Sequence, residues 1–292
     1  MSTGAASPRH PAERIRFRRG ITALSVEQLA LFRQAFDDVM KLPDTDDRGY
    51  QYWAGFHGLP GRIECDDAHF RPEFLPWHRA YLYSFERALR ERQLRLHNRD
   101  EVMLSFWDWR RPTADAPGRI PKAFADQTVG GHPNPLFSSR INPVALQQAA
   151  DQGALDLPGD HTFRRPGRAI GPSGRVITLP TVAEVQNVLR LTEFTRFSSA
   201  VENLHGRVHM WLGGHMGEIP FASYDPIFWA HHTMIDRIWR KWQLSPQGSP
   251  PPATILHESM RPFGVTVAET LEPPTKGYDY TFATRSAPMT PA

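Results

Sequence analysis

Cys65 is the only cysteine in this chain. No internal disulfide framework can form, and a metal site built from several thiolates is excluded. Long apolar runs are missing as well. No stretch is apolar enough to span a bilayer, and the opening MSTGAASPRHPAER lacks the apolar core of a signal peptide. The twin arginine Arg18-Arg19 is followed by GITALSVEQLALF, which reads as a loop and an amphipathic helix, so the expected compartment is the cytoplasm. Charge of one sign is also scarce. The net charge is +3, and the one local cluster, RFRR at 16–19, reads as a solvated surface at the start of the domain. Neither nucleic acid nor a membrane is an expected partner.

Histidine, tryptophan and proline are plentiful: 13, 8 and 27 among 292 residues. Many imidazoles beside one thiol point to a nitrogen-ligated metal. The length allows one large domain with a sizeable core, and no linker divides it. Residues 14–282 are expected to form that domain, after a disordered 1–13 and before a tail at 283–292.

The stretch DPIFWAHHTMIDRIWRKW, from Asp225 to Trp242, predicts a helix opened by Asp-Pro, with Ile227, Met234, Ile235, Ile238 and Trp242 on an apolar face. His231 and His232 lie on it, with Asp236 one turn beyond His232. Upstream, a helix over about 200–212 is predicted, with Ser199-x-x-Glu202 as its capping box and Gly213-Gly214 as its stop. It carries His205 and His209 at i and i+4, within reach of one ion. Gly206 in HGRVH rules out the zinc-protease motif, which needs a glutamate there.

The first third of the chain carries a second trio. Ser25-Val-Glu-Gln28 opens a helix with Leu29, Phe32, Phe36, Val39 and Met40 on one face, ending before Pro43. His57 ends the aromatic segment YQYWAGFHG, and His69 precedes a helix from about Phe74 or Pro76. That helix places His78, Leu82, Phe85 and Leu89 on one stripe. Residues 113–180 read as long surface loops with short helices, Thr181-x-x-Glu184 as a helix start, and Val265 and Val267 as a short strand. Two imidazole trios on helices suit a binuclear centre in a bundle core, and copper or zinc is the metal that three imidazoles favour. Zinc would need only one trio. A copper pair can pass two electrons to dioxygen, which matches a two-electron organic oxidation.

The segment H-x4-F-L-P-W-H-R-x2-L-x3-E, from His69 to Glu86, resembles the first copper signature of the tyrosinases. DPIFWAHHTMID, Asp225 to Asp236, resembles the second, and ENLHGRVHMWLGGHM resembles the bacterial segment before it. FWDW (106–109) and YDY (278–280) match further landmarks, so the likeness runs over about residues 14–282. It implies a mainly α fold, an antiparallel four-helix bundle enclosing a coupled (type-3) pair of copper ions, with long irregular loops and few short strands. Carried over by motif, His57, His69 and His78 bind the first copper, and His205, His209 and His232 the second. Dioxygen is the implied co-substrate, and the implied activity is oxidation of o-diphenols, with hydroxylation of monophenols a further step, to o-quinones.

The resemblance gives other positions roles too. Glu202 is expected to orient a water that takes the phenol proton, or to serve the capping box, or both. Asp236 is expected to accept an imidazole N–H behind the metal. Gly206 stands where many tyrosinases carry asparagine, which favours catechols or o-aminophenols over monophenols. Met210 makes the rim apolar, and Ile219 is expected over the second copper. His215 and His231 border the site, while His10, His97, His132, His161 and His257 are expected at the surface. Cys65 is expected to be a free thiol, since its spacing to His69 fits neither known thioether arrangement. The partners expected are a small phenolic substrate and, as in some bacterial relatives, a helper protein for copper loading and export. The alternatives are a catechol or o-aminophenol oxidase without monophenolase activity, and a hemocyanin-like reversible dioxygen carrier. The chain's shortness after Tyr280, with no shielding domain, favours the enzyme.

Overall fold

The computed structural model describes residues 15–60, 69–112, 119–153 and 157–282. The expectations for residues 1–13, Cys65 and the 283–292 tail lie outside these. Helices dominate: α1 (Val26–Met40), α2 (Tyr50–Ala54), α3 (Phe74–His97), α4 (Lys122–Ala125), α5 (Pro143–Asp151), α6 (Val182–Val188), α7 (Phe194–Leu212), α8 (Ile227–Gln243) and α9 (Val267–Thr270). Four of them, α1, α3, α7 and α8, are long, and the last three carry most of the histidines of interest.

Local chemistry sets their ends. Ser25 accepts the Gln28 N–H while the Gln28 side chain takes the Ser25 N–H, the reciprocal cap expected for α1. Thr181 and Glu184 do the same for α6. The cap predicted for α7 is not formed. The helix begins five residues before Ser199, capped by Glu193, whose carboxylate takes the N–H groups of Thr195 and Arg196 at 2.7 and 2.9 Å. The extra turn is retained because Phe194 and Phe197 pack on Trp239 and Trp242 of α8, Phe197 stacking at 4.1 Å. Gly213 ends α7 at φ +57°, as the glycine pair predicted. At the start of α8 the Asp225 carboxylate accepts the Ile227 N–H, so Asp-Pro does its capping one residue earlier than the helix itself. Val267 turns out to open α9 rather than a strand. Thr266 and Glu269 form a capping box there, so strand pairing stops at Thr266.

Helix directions follow from the ring pairs. His78 lies on His232 and Phe85 on Trp229, at 4.5 and 3.7 Å, so α3 and α8 run antiparallel. Phe197 meets Trp242 and His205 meets His232, so α7 and α8 are antiparallel too. α8 is buried over nearly its whole length, from Ile227 to Arg240, so its polar residues are all held inside the protein.

A short parallel pair, β1 (Arg16–Arg18) with β2 (Tyr278–Tyr280), ties the two ends of the described chain to this bundle. Here the reading of RFRR as a solvated surface holds for Phe17 and Arg19, which are exposed, but fails for Arg18. Arg18 is 0 % exposed. Its guanidinium donates to both Glu86 oxygens (2.9 and 3.2 Å), to Asp236 (3.3 Å) and to the Tyr280 hydroxyl, and stacks on Tyr278 at 4.0 Å. Arg79 adds a bond to Asp236 at 2.6 Å and lies 3.5 Å over the Trp239 ring. A buried cation persists only when paired, and these carboxylates supply the pairing.

Candidate metal centre

Six imidazoles converge between α3, α7, α8 and the segment after α2. His57, His69 and His78 have ring centres 5.3 to 5.7 Å apart. His205, His209 and His232 lie 4.4 to 5.4 Å apart. The trios touch: His78 stacks on His232, and His69 is 5.8 Å from His205. Five of the six are buried, and His209 is half-buried.

Hydrogen bonds set the tautomers. A carbonyl can only accept, so a ring nitrogen bonded to one must carry the proton. His78 Nδ1 donates to Phe74 O at 2.8 Å, His209 Nδ1 to Met216 O at 2.7 Å, and His57 Nδ1 to Ile219 O at 3.4 Å. Each of these rings is left with a bare lone pair on Nε2. The His205 and His209 Nε2 atoms then stand 3.2 and 3.3 Å from His232 Nε2. Neutral ring nitrogens this close together in a dry interior, with His57 Nε2 and His232 Nδ1 lacking any hydrogen-bond partner, make a donor set that fits a metal ion.

Burial, followed by mutual repulsion of the rings, pushes protonation of His57, His205 and His232 far below the usual histidine range. His78 is lowered in the same way, against an opposing pull from the Phe74 carbonyl. For His69 and His209 burial lowers the value to about 4. At neutral pH all six rings are therefore neutral, the form that binds metal.

Two groups bring single ligand atoms within 4.8 Å of one another: His205, His209, His231 and His232, and His57, His78 and His232. The His69 nitrogens lie outside both groups, although its ring packs against His57 and His78. His231 is closer in than a border position implies. Its ring stacks on His205 at 5.2 Å and lies 6.3 Å from the Trp109 ring. His232 belongs to both groups and His231 to one. His215 belongs to neither group, and its Nδ1 accepts the Phe163 N–H.

Asp236 is not where expected. Its carboxylate receives Arg79, Arg18 and the Tyr280 hydroxyl, and no imidazole. One turn along α8 from His232 it faces the arginines of α3 and β1, whose buried charge outcompetes a neutral ring N–H. Glu202 serves no capping box either. Its Oε1 accepts the Phe70 N–H at 2.7 Å, tying the residue after His69 to α7, and burial raises its protonation above the usual carboxylate range. Beside it along α7, Gly206 has nothing within 4 Å of where a Cβ would sit. Met210 and Ile219 are 43 and 44 % exposed.

One contact positions both trios. A Cβ on Gly58 would lie 2.5 Å from the Pro220 carbonyl oxygen, so only glycine lets the chain after His57 pass the 216–220 turn. That turn supplies the carbonyls that hold His57 and His209.

Residues 47–245 match the family described as the common central domain of tyrosinase. This chain belongs to the tyrosinase family. A tyrosinase of Streptomyces antibioticus is 32 % identical over 234 residues, covering 73 % of this chain and 80 % of that one. A G-type hemocyanin of Enteroctopus dofleini is 31 % identical over 274 residues, covering 87 % of this chain but only 8 % of that much longer protein. Among solved structures, Aspergillus oryzae pro-tyrosinase (F513Y mutant) aligns with a TM-score of 0.73 at 21 % identity, over 94 % of this chain and 72 % of that one. An octopus hemocyanin functional unit aligns with a TM-score of 0.68 at 23 % identity, over 91 and 68 %. As a tyrosinase-family protein it has the type-3 copper fold, and its cofactor is a pair of copper ions that engages dioxygen.

Proposed function

We propose that this tyrosinase-family chain is a copper oxidase that converts o-diphenols to o-quinones, with His57, His69 and His78 holding one copper and His205, His209 and His232 the other. The bound copper pair supplies the redox chemistry, cycling between +1 and +2. Overall, two catechols and one dioxygen give two quinones and two waters, so four electrons and four protons leave the substrates together. The protein's part is to keep six neutral imidazoles in register, exclude water and admit the substrate.

The open space beside Gly206 carries this reading. It lies on the same side of α7 as Glu202 and one residue from His205, and in this reading it is where the substrate ring enters. In this reading Glu202 holds a water that takes the substrate proton, which helps because a free phenol ionises only near ~10. With glycine rather than asparagine at 206, catechols and o-aminophenols are the favoured substrates over monophenols.

Reversible dioxygen carriage is the second reading, favoured by the hemocyanin match over 87 % of the chain. Oxygen uptake by copper-loaded protein separates the two. One dioxygen consumed per two catechols, with quinone absorbance, supports the oxidase. Dioxygen bound and released without turnover supports the carrier and overturns the oxidase.

A further inference from the structure

Phe70 combines features that make little structural sense. It is 89 % exposed, so its ring gains almost nothing from burial. Its φ is +60°, a conformation a bulky side chain adopts only against strain. A turn alone would be served better by glycine or asparagine. Yet a buried carboxylate, Glu202, is committed to holding its backbone N–H at 2.7 Å.

Its location suggests why. The Phe70 ring centre is 6.3 Å from that of His69. Glu202, Gly206 and Met210 follow one another at i, i+4 and i+8 on one stripe of α7. Phe70 is pinned at the Glu202 end of that stripe, the open space at Gly206 lies in the middle, and the exposed Met210 closes the other end. A phenol whose hydroxyl points to the imidazole cluster turns its para position outward, toward this mouth.

We propose that Phe70 is a specificity-determining aromatic jaw that selects phenols and catechols bearing an apolar, preferably aryl, para substituent, and that Glu202 is its positioning residue. The proposal rests on the oxidase reading for its biological sense, but its test does not need copper. Isothermal titration calorimetry of the copper-free protein compares 4-phenylphenol with phenol. Loss of one aromatic contact in Phe70→Ala should weaken 4-phenylphenol by roughly two- to twelvefold and leave phenol unchanged. Phe70→Tyr should restore the preference. Glu202→Gln keeps an oxygen for the Phe70 N–H and should keep it, whereas Glu202→Ala should lose it. Phe70→Gly relieves the strain, so its thermal midpoint should not fall while its selectivity does.

In the copper-loaded protein the same change should appear as a KM ratio between 4-phenylcatechol and catechol, with little change in kcat. A wild-type protein that binds the two phenols equally, or a Phe70→Ala protein as selective as the wild type, would overturn the proposal. Absence of catechol turnover with the binding preference intact would instead sink the oxidase reading alone.

Discussion

Replacing Asp236 with alanine should unfold this protein far more readily, whether or not copper is present. Arg18, Arg79, Glu86 and Asp236 form a neutral quartet in which each member is at most 3 % exposed. Without Asp236, two guanidiniums face one carboxylate in a dry interior, and the Tyr280 hydroxyl loses its acceptor. Breaking a buried pair by removing one partner costs about 3–5 kcal/mol, because the remaining charge is uncompensated. For a chain of this size that corresponds to roughly 6–20 °C in melting temperature. Guanidinium chloride unfolding of the copper-free protein, with copper content measured in parallel, is the assay. Asp37→Ala is the control: its partner is the exposed Lys41, and such surface pairs are worth under ~1 kcal/mol. A copper-free Asp236→Ala protein within about 1 kcal/mol of the wild type would refute this account of the quartet. Loss of copper with unchanged unfolding would return Asp236 to the imidazole role that the sequence suggested.

Other expectations concern the site and its surroundings. Gly58→Ala would drive a methyl group into the Pro220 backbone and shift the carbonyls that hold His57 and His209; copper affinity, measured by chelator competition, should fall by tenfold or more. Glu184 is partly buried, which raises its pKa, but Arg207 and both Thr181 groups outweigh this and bring it to about 2 from 4.5. Its stabilising effect is therefore present above pH 4.5 and lost as pH falls toward 2, so Glu184→Gln should be less stable than wild type at pH 7 and equal to it near pH 2. An unchanged difference across that range would contradict the sign. Gly206→Asn should raise turnover of monophenols relative to diphenols, and an unaltered ratio would remove that position from the specificity account.

Much of this was legible in the sequence because the residues concerned carry periodic or local signals. Ser25 with Gln28 and Thr181 with Glu184 announce their caps in four residues, and the α8 stripe from Ile227 to Trp242 repeats at helical spacing. What was missed depends on contacts between distant segments. Arg18 looked like a surface cation because its partners lie 68 and 218 residues away. The α7 start was misplaced because Ser199-x-x-Glu202 satisfies a local pattern, while the packing of Phe194 and Phe197 on α8 decides the helix length. Asp236 has the helical spacing of an imidazole partner, but the buried arginines from α3 and β1 reach it first. Phe70 has no pattern at all; its oddity is a positive φ joined to exposure, which only coordinates display.

In the proposed function, six imidazoles hold two copper ions that act together on one dioxygen. Copper titration of the metal-free protein, with His209→Ala beside it, tests this most directly. Wild-type protein should bind two copper ions tightly per chain and the variant one, with catechol-dependent oxygen uptake only in the former. A single copper per wild-type chain, or a His209→Ala protein that keeps two and still consumes oxygen, would contradict it.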